Sequence, residues 1–320
     1  MSKYVIGVDI GGTLTKFGLF TTGGERVDQW KMTTNSEDNG KHLSSHIVKN
    51  IKERFVKHSI TEDNLTGIGI GVPGFIDESS GVVDVAVNIG WANYPLKAIL
   101  EKAFNVPVFV NNDANLAAAG EHWNGAGKRS VSTFFITLGT GVGGGLIANG
   151  DLVTGANGTA GEIGHTLVVP NGRLCTCGRE GCLEEYVASK GLRRSLRNYL
   201  RNFEGSSSLH KDNEAIDIYE AAKTGDTLAG QIVNESAYYL AYAVANAVMI
   251  INPEKIIIGG GMPAAGNILL QPLVIQFKRF VLKEADKNLS FEFAQLGNDA
   301  GIYGASWLAL KRLGYFCHQD

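Results

Sequence analysis

The residues best suited to chemistry concentrate between positions 161 and 184. Three of the four cysteines in the 320-residue chain lie there, as Cys175, Cys177 and Cys182, and His165 precedes the first of them by ten positions. Three thiolates and one imidazole complete the tetrahedral shell of a structural zinc ion and leave no position open for water. The pattern therefore predicts a zinc site, and the alternative is a surface loop with three reduced, unligated thiols.

Two carboxylates, Glu162 and Glu184, stand at the ends of this stretch. Residues beside the ligands of a structural metal are held in fixed orientations together with those ligands. A zinc site that holds two acids beside one histidine is expected to form a rigid polar wall for a ligand.

A turn of small residues, G-G-T at positions 11–13, separates two predicted strands. Such a turn exposes backbone N–H groups and a hydroxyl to an anion, although a plain hairpin explains it equally well. The second half of the chain repeats the pattern with a glycine turn predicted at 139–145. In each half a strand, a glycine turn, a strand, a helix and a further strand follow in order. We predict a duplicated α/β unit whose second copy carries the zinc segment as an insertion.

A carboxylate and two amides lie between the halves, where a predicted strand runs into a helix at Asn111, Asn112 and Asp113. Either Asn112 or Asp113 could simply cap the helix. An Asp at a helix N-terminus is also kept ionised and oriented by the helix dipole, as a catalytic carboxylate requires.

Composition limits the possible partners. The chain has 29 Lys and Arg against 32 Asp and Glu and is 44% hydrophobic, so neither nucleic acid nor a membrane surface is an expected partner. The N-terminal sequence lacks a secretory signal pattern, and the longest apolar run is too short to span a bilayer, so we expect a cytoplasmic protein with reduced thiols. A set of arginines at helical spacing is interpreted as a solvated helix face. These are Arg193, Arg194, Arg197 and Arg201. Cys317 has no evident partner.

Taken together, the motifs resemble the ROK family of sugar kinases and repressors along essentially the whole chain. The matching elements are D-I-G-G-T at Asp9, G-V-P-G at Gly71, N-N-D-A-N at Asn111, T-L-G-T-G-V-G-G-G at Thr137, G-E-I-G-H at Gly161, C-x-C-G-x-x-G-C-x-E at Cys175 and I-G-G-G at Ile258. Within the family, V-N-I-G-W at Val87 is similar to a segment of the bacterial ATP-dependent glucokinases. Glu185-Tyr186 departs from the Glu-Thr of several of them.

The resemblance implies an α/β fold of the duplicated actin/hexokinase-like (ribonuclease H-like) ATPase type. Two domains would enclose an interdomain cleft. We expect an N-terminal domain at 1–120 and a C-terminal domain at 121–320, with the zinc insertion near 155–190. A homodimer is also typical of the resemblance.

The resemblance also implies roles for particular residues. Asp113 would be the catalytic base that faces the sugar 6-hydroxyl. The sugar-binding residues would be Gly74, Asn112, Glu162, His165 and Glu184. The ATP-binding residues would be Gly11, Gly12, Thr13, Lys16, Thr140 and Gly141 at the phosphates and Gly260 and Gly261 near the nucleoside, while Asp9 would hold Mg²⁺ through water. His165 would also ligate zinc together with Cys175, Cys177 and Cys182.

The expected function is therefore transfer of the γ-phosphate of ATP to the 6-hydroxyl of glucose. A kinase for N-acetylmannosamine or another hexose is the alternative, because the same acids and histidine could hold either ring. A sugar-responsive repressor would need a DNA-binding segment, and only eight residues precede Asp9. A zinc hydrolase is disfavoured because the four predicted ligands fill the tetrahedron.

Overall fold

The computed structural model describes residues 2–261 and 265–315, so that Cys317 lies outside the described residues. The described chain forms two compact units. The first unit comprises the residues up to Arg129, Leu152–Ala160 and the residues from Asn298 onward. The second unit comprises Ser130–Asp151 and Gly161–Gly297.

Strands and helices alternate along the chain, as expected for an α/β protein. The strands are β1 (Tyr4–Ile10), β2 (Leu14–Thr21), β3 (Arg26–Thr33), β4 (Leu65–Val72), β5 (Phe75–Asp77), β6 (Val82–Ala86), β7 (Trp91–Tyr94), β8 (Val108–Asn112), β9 (Thr133–Leu138), β10 (Val142–Ala148), β11 (Asp151–Val153), β12 (Lys255–Gly260) and β13 (Ser290–Phe293). The helices are α1 (Glu37–Gly40), α2 (Leu43–His58), α3 (Leu96–Phe104), α4 (Asp113–Asn124), α5 (Glu184–Val187), α6 (Ser189–Tyr199), α7 (Ala215–Lys223), α8 (Thr227–Ile251), α9 (Asn267–Phe280), α10 (Lys283–Asp286) and α11 (Ala300–Arg312).

The first unit is built on a mixed sheet of order β3-β2-β1-β4-β8. β1, β2 and β3 pair antiparallel, whereas β1, β4 and β8 run parallel. Helix α2 buries Leu43, Ile47, Ile51 and Phe55, which recur every four residues and so line one helix face. Helix α11 lies very close to β4, because a Cβ on Gly69 would meet the carbonyl oxygen of Ala305 at 1.8 Å. β5, β6 and β7 form a separate antiparallel sheet.

A second sheet repeats this strand order as β11-β10-β9-β12-β13, and its strands belong to the second unit except for the last two residues of β11. β9 and β10 pair antiparallel, and β9, β12 and β13 run parallel. The core of the second unit joins the sheet to the long helix α8 and to α9. The common order of the two sheets is the arrangement that a duplicated α/β unit predicts.

The structure corrects the predicted glycine turn at 139–145. The turn ends at Gly141, and β10 already begins at Val142, where it pairs with Leu138. The glycines that follow are strand residues. A Cβ on Gly144 would lie 2.3 Å from the carbonyl oxygen of Gly161, so this strand is glycine-rich because another segment packs directly on its backbone.

The compact units also differ from the predicted domains at 1–120 and 121–320. Helix α4 runs through position 120 without interruption. Helix α11 belongs to the first unit because it packs on α4, β1 and β4. Arg201 lies beyond the end of α6 at Tyr199, although a continuous basic helix face was predicted.

Candidate active site and metal centre

The predicted site residues of the first unit share one edge of its sheet. Asp9 of β1 is in register with Gly71 of β4, and Gly71 is in register with Asn111 of β8. The three strands are parallel, so the segments that follow them meet at the carboxyl edge, where α/β sheets generally bind ligands. The Gly11, Gly74 and Asp113 segments all begin there.

The turn at residues 11–13 is held by its own backbone. The N–H of Gly11 donates to the carbonyl oxygen of Leu14 at 3.0 Å, and the hydroxyl of Thr34 donates to the carbonyl oxygen of Gly11 at 2.8 Å. Gly12 and Thr13 are exposed. The turn is therefore fixed in shape, with its tip accessible to an anion.

Asp9 and Lys16 face each other across the β1–β2 pair. Their carboxylate and ammonium groups lie 3.6 Å apart, and Lys16 Nζ also donates to the carbonyl oxygen of Asn298 at 2.6 Å. Burial raises the pKa of Asp9, and the charge of Lys16 opposes this shift. A Cβ on Gly301, in the first turn of α11, would lie 2.5 Å from the carboxyl carbon of Asp9. The glycine thus leaves space for this carboxylate.

Asn112 and Asp113 occupy different positions at the start of α4. Asn112 is the N-cap, and its side-chain oxygen accepts the N–H groups of Ala114 at 2.8 Å and Asn115 at 3.3 Å. Its amide nitrogen donates to the carbonyl oxygen of Gly74 at 3.0 Å, which ties the two segments together. Asp113 is the first helical residue and accepts the N–H of Ala114 at 2.9 Å. The neighbouring Asn111 is buried and bonds Asn115.

The structure brings together all four predicted zinc ligands. One potential ligand atom from each of His165, Cys175, Cys177 and Cys182 lies within 4.8 Å of the others. The Sγ atoms of Cys177 and Cys182 are 3.6 Å apart, and Cys175 Sγ is 3.8 Å from His165 Nδ1. Two thiolates on one tetrahedral zinc ion, each at about 2.3 Å, would be separated by about 3.8 Å. The donor set and its spacing therefore fit a closed, four-ligand site.

The local backbone explains how the cysteines converge. The N–H of Cys175 donates to the carbonyl oxygen of Arg179 at 2.8 Å, and Gly178 takes a positive φ of 86° in the turn between the two. A backbone hydrogen bond from Arg179 lowers the pKa of Cys177 to about 6, which favours the thiolate that zinc requires. Burial raises the pKa of Cys182 to about 12, and a bound cation would counteract this effect.

The predicted acids of the second unit lie near this cluster. Glu162 precedes a short 3-10 turn at Ile163–His165, and burial raises its pKa, with the charge of Glu184 adding to the shift. Glu184 begins α5 and is buried. One of its oxygens accepts the N–H of Val142 at 3.0 Å, and the other lies 2.6 Å from Lys190 Nζ.

Two glycine turns share the carboxyl edge of the second sheet. Leu138, which ends β9, is in register with Gly260, which ends the parallel strand β12. The Thr140–Gly141 and Gly260–Gly261 segments follow these strands, and Thr140, Gly260 and Gly261 are exposed. A Cβ on Gly260 would lie 2.3 Å from the carbonyl oxygen of Leu138, and its φ is 90°, so both space and conformation require glycine.

The sequence interpretation missed Lys190 and Ser189. Both follow α5, and Ser189 donates twice to the carbonyl oxygen of Gly139, from its N–H and its hydroxyl, at 2.9 Å in each case. Neither residue belongs to a recognisable motif, because their partners lie far away in the sequence. The one available signal was a lysine shortly after two consecutive glutamates.

A separate pocket of about 740 Å³ lies in the first unit, and it contains none of the predicted site residues. Glu78, Asp84, Lys97 and Arg312 are among its lining residues. This pocket is therefore not the site that the sequence motifs predict, because the chemically suited residues lie at the sheet edge.

Among the helices of the described residues, none is both long and apolar enough to cross a membrane.

These features define an α/β protein with two mixed sheets, each with glycine turns at its carboxyl edge. The sequence pattern of the ROK family matches residues 5–312, and the chain belongs to this family. Its fold is that of the ROK sugar kinases.

Individual relatives are similar over nearly their whole length. A glucokinase of Halalkalibacterium halodurans is 43% identical over 97% of this chain and 96% of its own. The structure of a ROK hexokinase from Thermus thermophilus aligns with a TM-score of 0.85 and 29% identity, over 97% of this chain and 99% of its own. The structure of a ROK family glucokinase from Streptomyces griseus, in complex with glucose and AMPPNP, aligns with a TM-score of 0.74 and 35% identity, over 97% of this chain and 100% of its own.

Proposed function

We propose that the protein is an ATP-dependent glucokinase, which transfers the γ-phosphoryl group of ATP to the 6-hydroxyl of glucose. The observation that carries this proposal is the position of Asp113, a carboxylate at the same sheet edge as the anion-type turn at residues 11–13. The similarity to a glucokinase that binds glucose and AMPPNP supports the choice of both substrates.

In the proposed reaction Asp113 accepts the proton of the sugar 6-hydroxyl. The hydroxyl oxygen forms a bond to the γ-phosphorus, the bond from this phosphorus to the β–γ bridging oxygen breaks, and its electron pair leaves with ADP. The transition state of such transfers is loose, so the carboxylate mainly orients the hydroxyl in line and accepts the proton late. General base catalysis of this kind increases the reaction rate roughly 10²-fold to 10⁴-fold.

The ring hydroxyls are proposed to bind five residues. These residues are Gly74, Asn112, Glu162, His165 and Glu184. Asn112 donates one amide N–H to Gly74 and has a second N–H for a hydroxyl. His165 meets the cysteines through Nδ1, which leaves Nε2 for the sugar.

ATP is proposed to bind glycine turns. The phosphate-binding residues would be Gly11, Gly12, Thr13, Lys16, Thr140 and Gly141, and the nucleoside would lie near Gly260 and Gly261. Backbone N–H groups in such turns neutralise phosphate charge without reorganisation during the reaction. Asp9 would hold Mg²⁺ through water, and a cation beside this carboxylate would offset the effect of burial on its pKa.

Zinc is proposed to bind His165, Cys175, Cys177 and Cys182. A closed four-ligand site supplies folding energy and no activated water. In this site zinc would fix the ring of His165 and the backbone that leads to Glu162 and Glu184. The metal would thus order the sugar-binding residues rather than take part in the chemistry.

A coupled ATP-consumption assay over a panel of hexoses and N-acetylhexosamines tests the proposal. Glucose should give the highest kcat/KM, because a site that hydrogen-bonds hydroxyls discriminates strongly against an analogue that cannot repeat the contacts. Glucose and N-acetylmannosamine compared in competition decide between the two substrates. Preference for N-acetylmannosamine would contradict the glucose assignment, and no ATP consumption with any sugar would contradict the kinase assignment. The homodimer stays a prediction, which light scattering would test.

A further inference from the structure

The segment from Glu184 to Lys190 is bonded to the glycine turn that follows β9. Ser189 donates to the carbonyl oxygen of Gly139 through its N–H and its hydroxyl. Glu184 accepts the N–H of Val142, the residue after the turn. One short segment therefore holds both ends of the turn that is proposed to bind ATP phosphates, and the proposed sugar ligand Glu184 is one of its two attachments.

Two adjacent buried carboxylates make this segment electrostatically unusual. Glu184 and Glu185 are both buried, and an oxygen of each lies within 4.8 Å of the other. Like charges at such a distance repel strongly away from bulk water, so the pair needs a cation. Lys190 Nζ supplies it, at 2.6 Å from Glu184 and 3.0 Å from Glu185.

The two acids depend on Lys190 to different extents. Glu185 has a second cationic neighbour in Arg194, at 3.7 Å. For Glu184, Lys190 is the one cation within 4.0 Å among residues 2–261 and 265–315. Loss of the ammonium would therefore leave Glu185 paired and Glu184 facing a like charge.

The contacts of Glu184 also fix the direction of its carboxylate. One oxygen is held by the N–H of Val142 and the other by Lys190, so the carboxylate plane is set from both sides. Each carboxylate oxygen can accept a further hydrogen bond, so a sugar hydroxyl can still bind. A Cβ on Gly141 would lie 2.4 Å from the oxygen that bonds Val142, so the carboxylate lies directly against the turn.

We propose that Lys190 is a positioning residue for sugar binding, which holds Glu184 against the repulsion of Glu185 and keeps one of its oxygens directed at the sugar. This inference rests on the proposed function, in which Glu184 binds a ring hydroxyl. Lys190 acts through Glu184 and need not contact the sugar itself.

The test compares five variants with the wild type in steady-state kinetics and thermal unfolding. Lys190→Met removes the charge but keeps most of the aliphatic chain, and Lys190→Arg retains the charge. Glu185→Gln removes the repulsion, alone and combined with Lys190→Met. Arg193→Met is the matched control. Arg193 lies in α6, the same helix as Lys190, but its ion pair is with Glu214, at 3.0 Å, and not with Glu184.

We expect Lys190→Met to raise the KM for glucose about tenfold, with a smaller change in kcat, because a charge-assisted contact orders the ligand carboxylate. Lys190→Arg and Arg193→Met should stay within about twofold of the wild type. The double variant Lys190→Met/Glu185→Gln should recover a large part of the lost affinity, because the repulsion is gone. Rescue of this kind would not follow from loss of packing alone.

Three results would overturn the inference. The first is a glucose KM within about twofold of the wild type in Lys190→Met. The second is a double variant no better than Lys190→Met. The third is an equal KM increase in Arg193→Met. If Lys190→Met does not fold, Lys190→Gln replaces it with the same expected and contrary outcomes. Failure of the proposed function is distinguishable, because the wild type itself would then not phosphorylate glucose.

Discussion

Substitution of Asp113 by Asn separates catalysis from helix capping. The N-cap of α4 is Asn112, so Asp113 is not needed for that purpose. An Asn at position 113 keeps a side-chain oxygen that can accept the N–H of Ala114. We therefore expect the free energy of unfolding to change by less than about 0.5 kcal/mol. Because the variant lacks a proton acceptor, kcat should fall by roughly 10²-fold to 10⁴-fold.

Asn112→Ala should give a different pattern. It removes the N-cap contacts, which cost about 1 kcal/mol, and the hydrogen bond to Gly74, which costs about 1 kcal/mol more. At roughly 2–4 °C per kcal/mol, the thermal midpoint should fall by about 4–8 °C. The glucose KM should also rise, because Asn112 is proposed to bind the sugar and its contact holds the Gly74 segment.

The assay measures kcat, the glucose KM and the thermal midpoint on the same preparations of both variants. Asp113→Asn with nearly full kcat and a lowered midpoint would refute the catalytic assignment. That result would mean that the carboxylate serves the helix and that another group accepts the proton.

Two further predictions concern the second unit. Metal analysis should find about one zinc per chain. Cys177→Ala should lose both zinc and glucose binding, because the ion contributes folding energy to the segment. A protein that is fully active without zinc would contradict this prediction. Gly141→Ala would place a Cβ 2.4 Å from a carboxylate oxygen of Glu184. The KM values for glucose and ATP should therefore both rise in kinetic assays. Unchanged KM values would show that the carboxylate can move without loss of binding.

Local patterns predicted the parts of the site that depend on sequence spacing. The Cys and His spacing predicted a cluster whose four donors do converge, because the intervening chain is short and contains turn-forming glycines. The strand-to-glycine junctions were also predictable, since a buried apolar strand that ends in Gly is visible in the sequence. Asp9, Gly11 and Asp113 consequently lie at the predicted strand ends.

Other features depended on contacts that the sequence does not display. A glycine run looks like a turn, and only the approach of Gly161 explains why Gly144 belongs to a strand. Asn112 and Asp113 are both good N-cap residues, and the choice follows from the extended backbone of Asn112, at φ −64° and ψ 145°. Lys190 reaches Glu184 because the chain folds back around α5. The spacing of apolar and charged residues in the sequence does not indicate this contact.

The placement of α11 has a consequence for how the chain folds during synthesis. The helix is made last among the described elements, yet it covers β1, which is the first strand to be made, and β4, which is also made early. With about 290 residues between β1 and α11, translation at about 5–20 residues per second separates them by roughly 15–60 s. In this interval the parts of β1 and β4 that α11 covers lack this native partner. The native packing of the first unit can therefore be completed only once the ribosome has made α11, after the whole second unit.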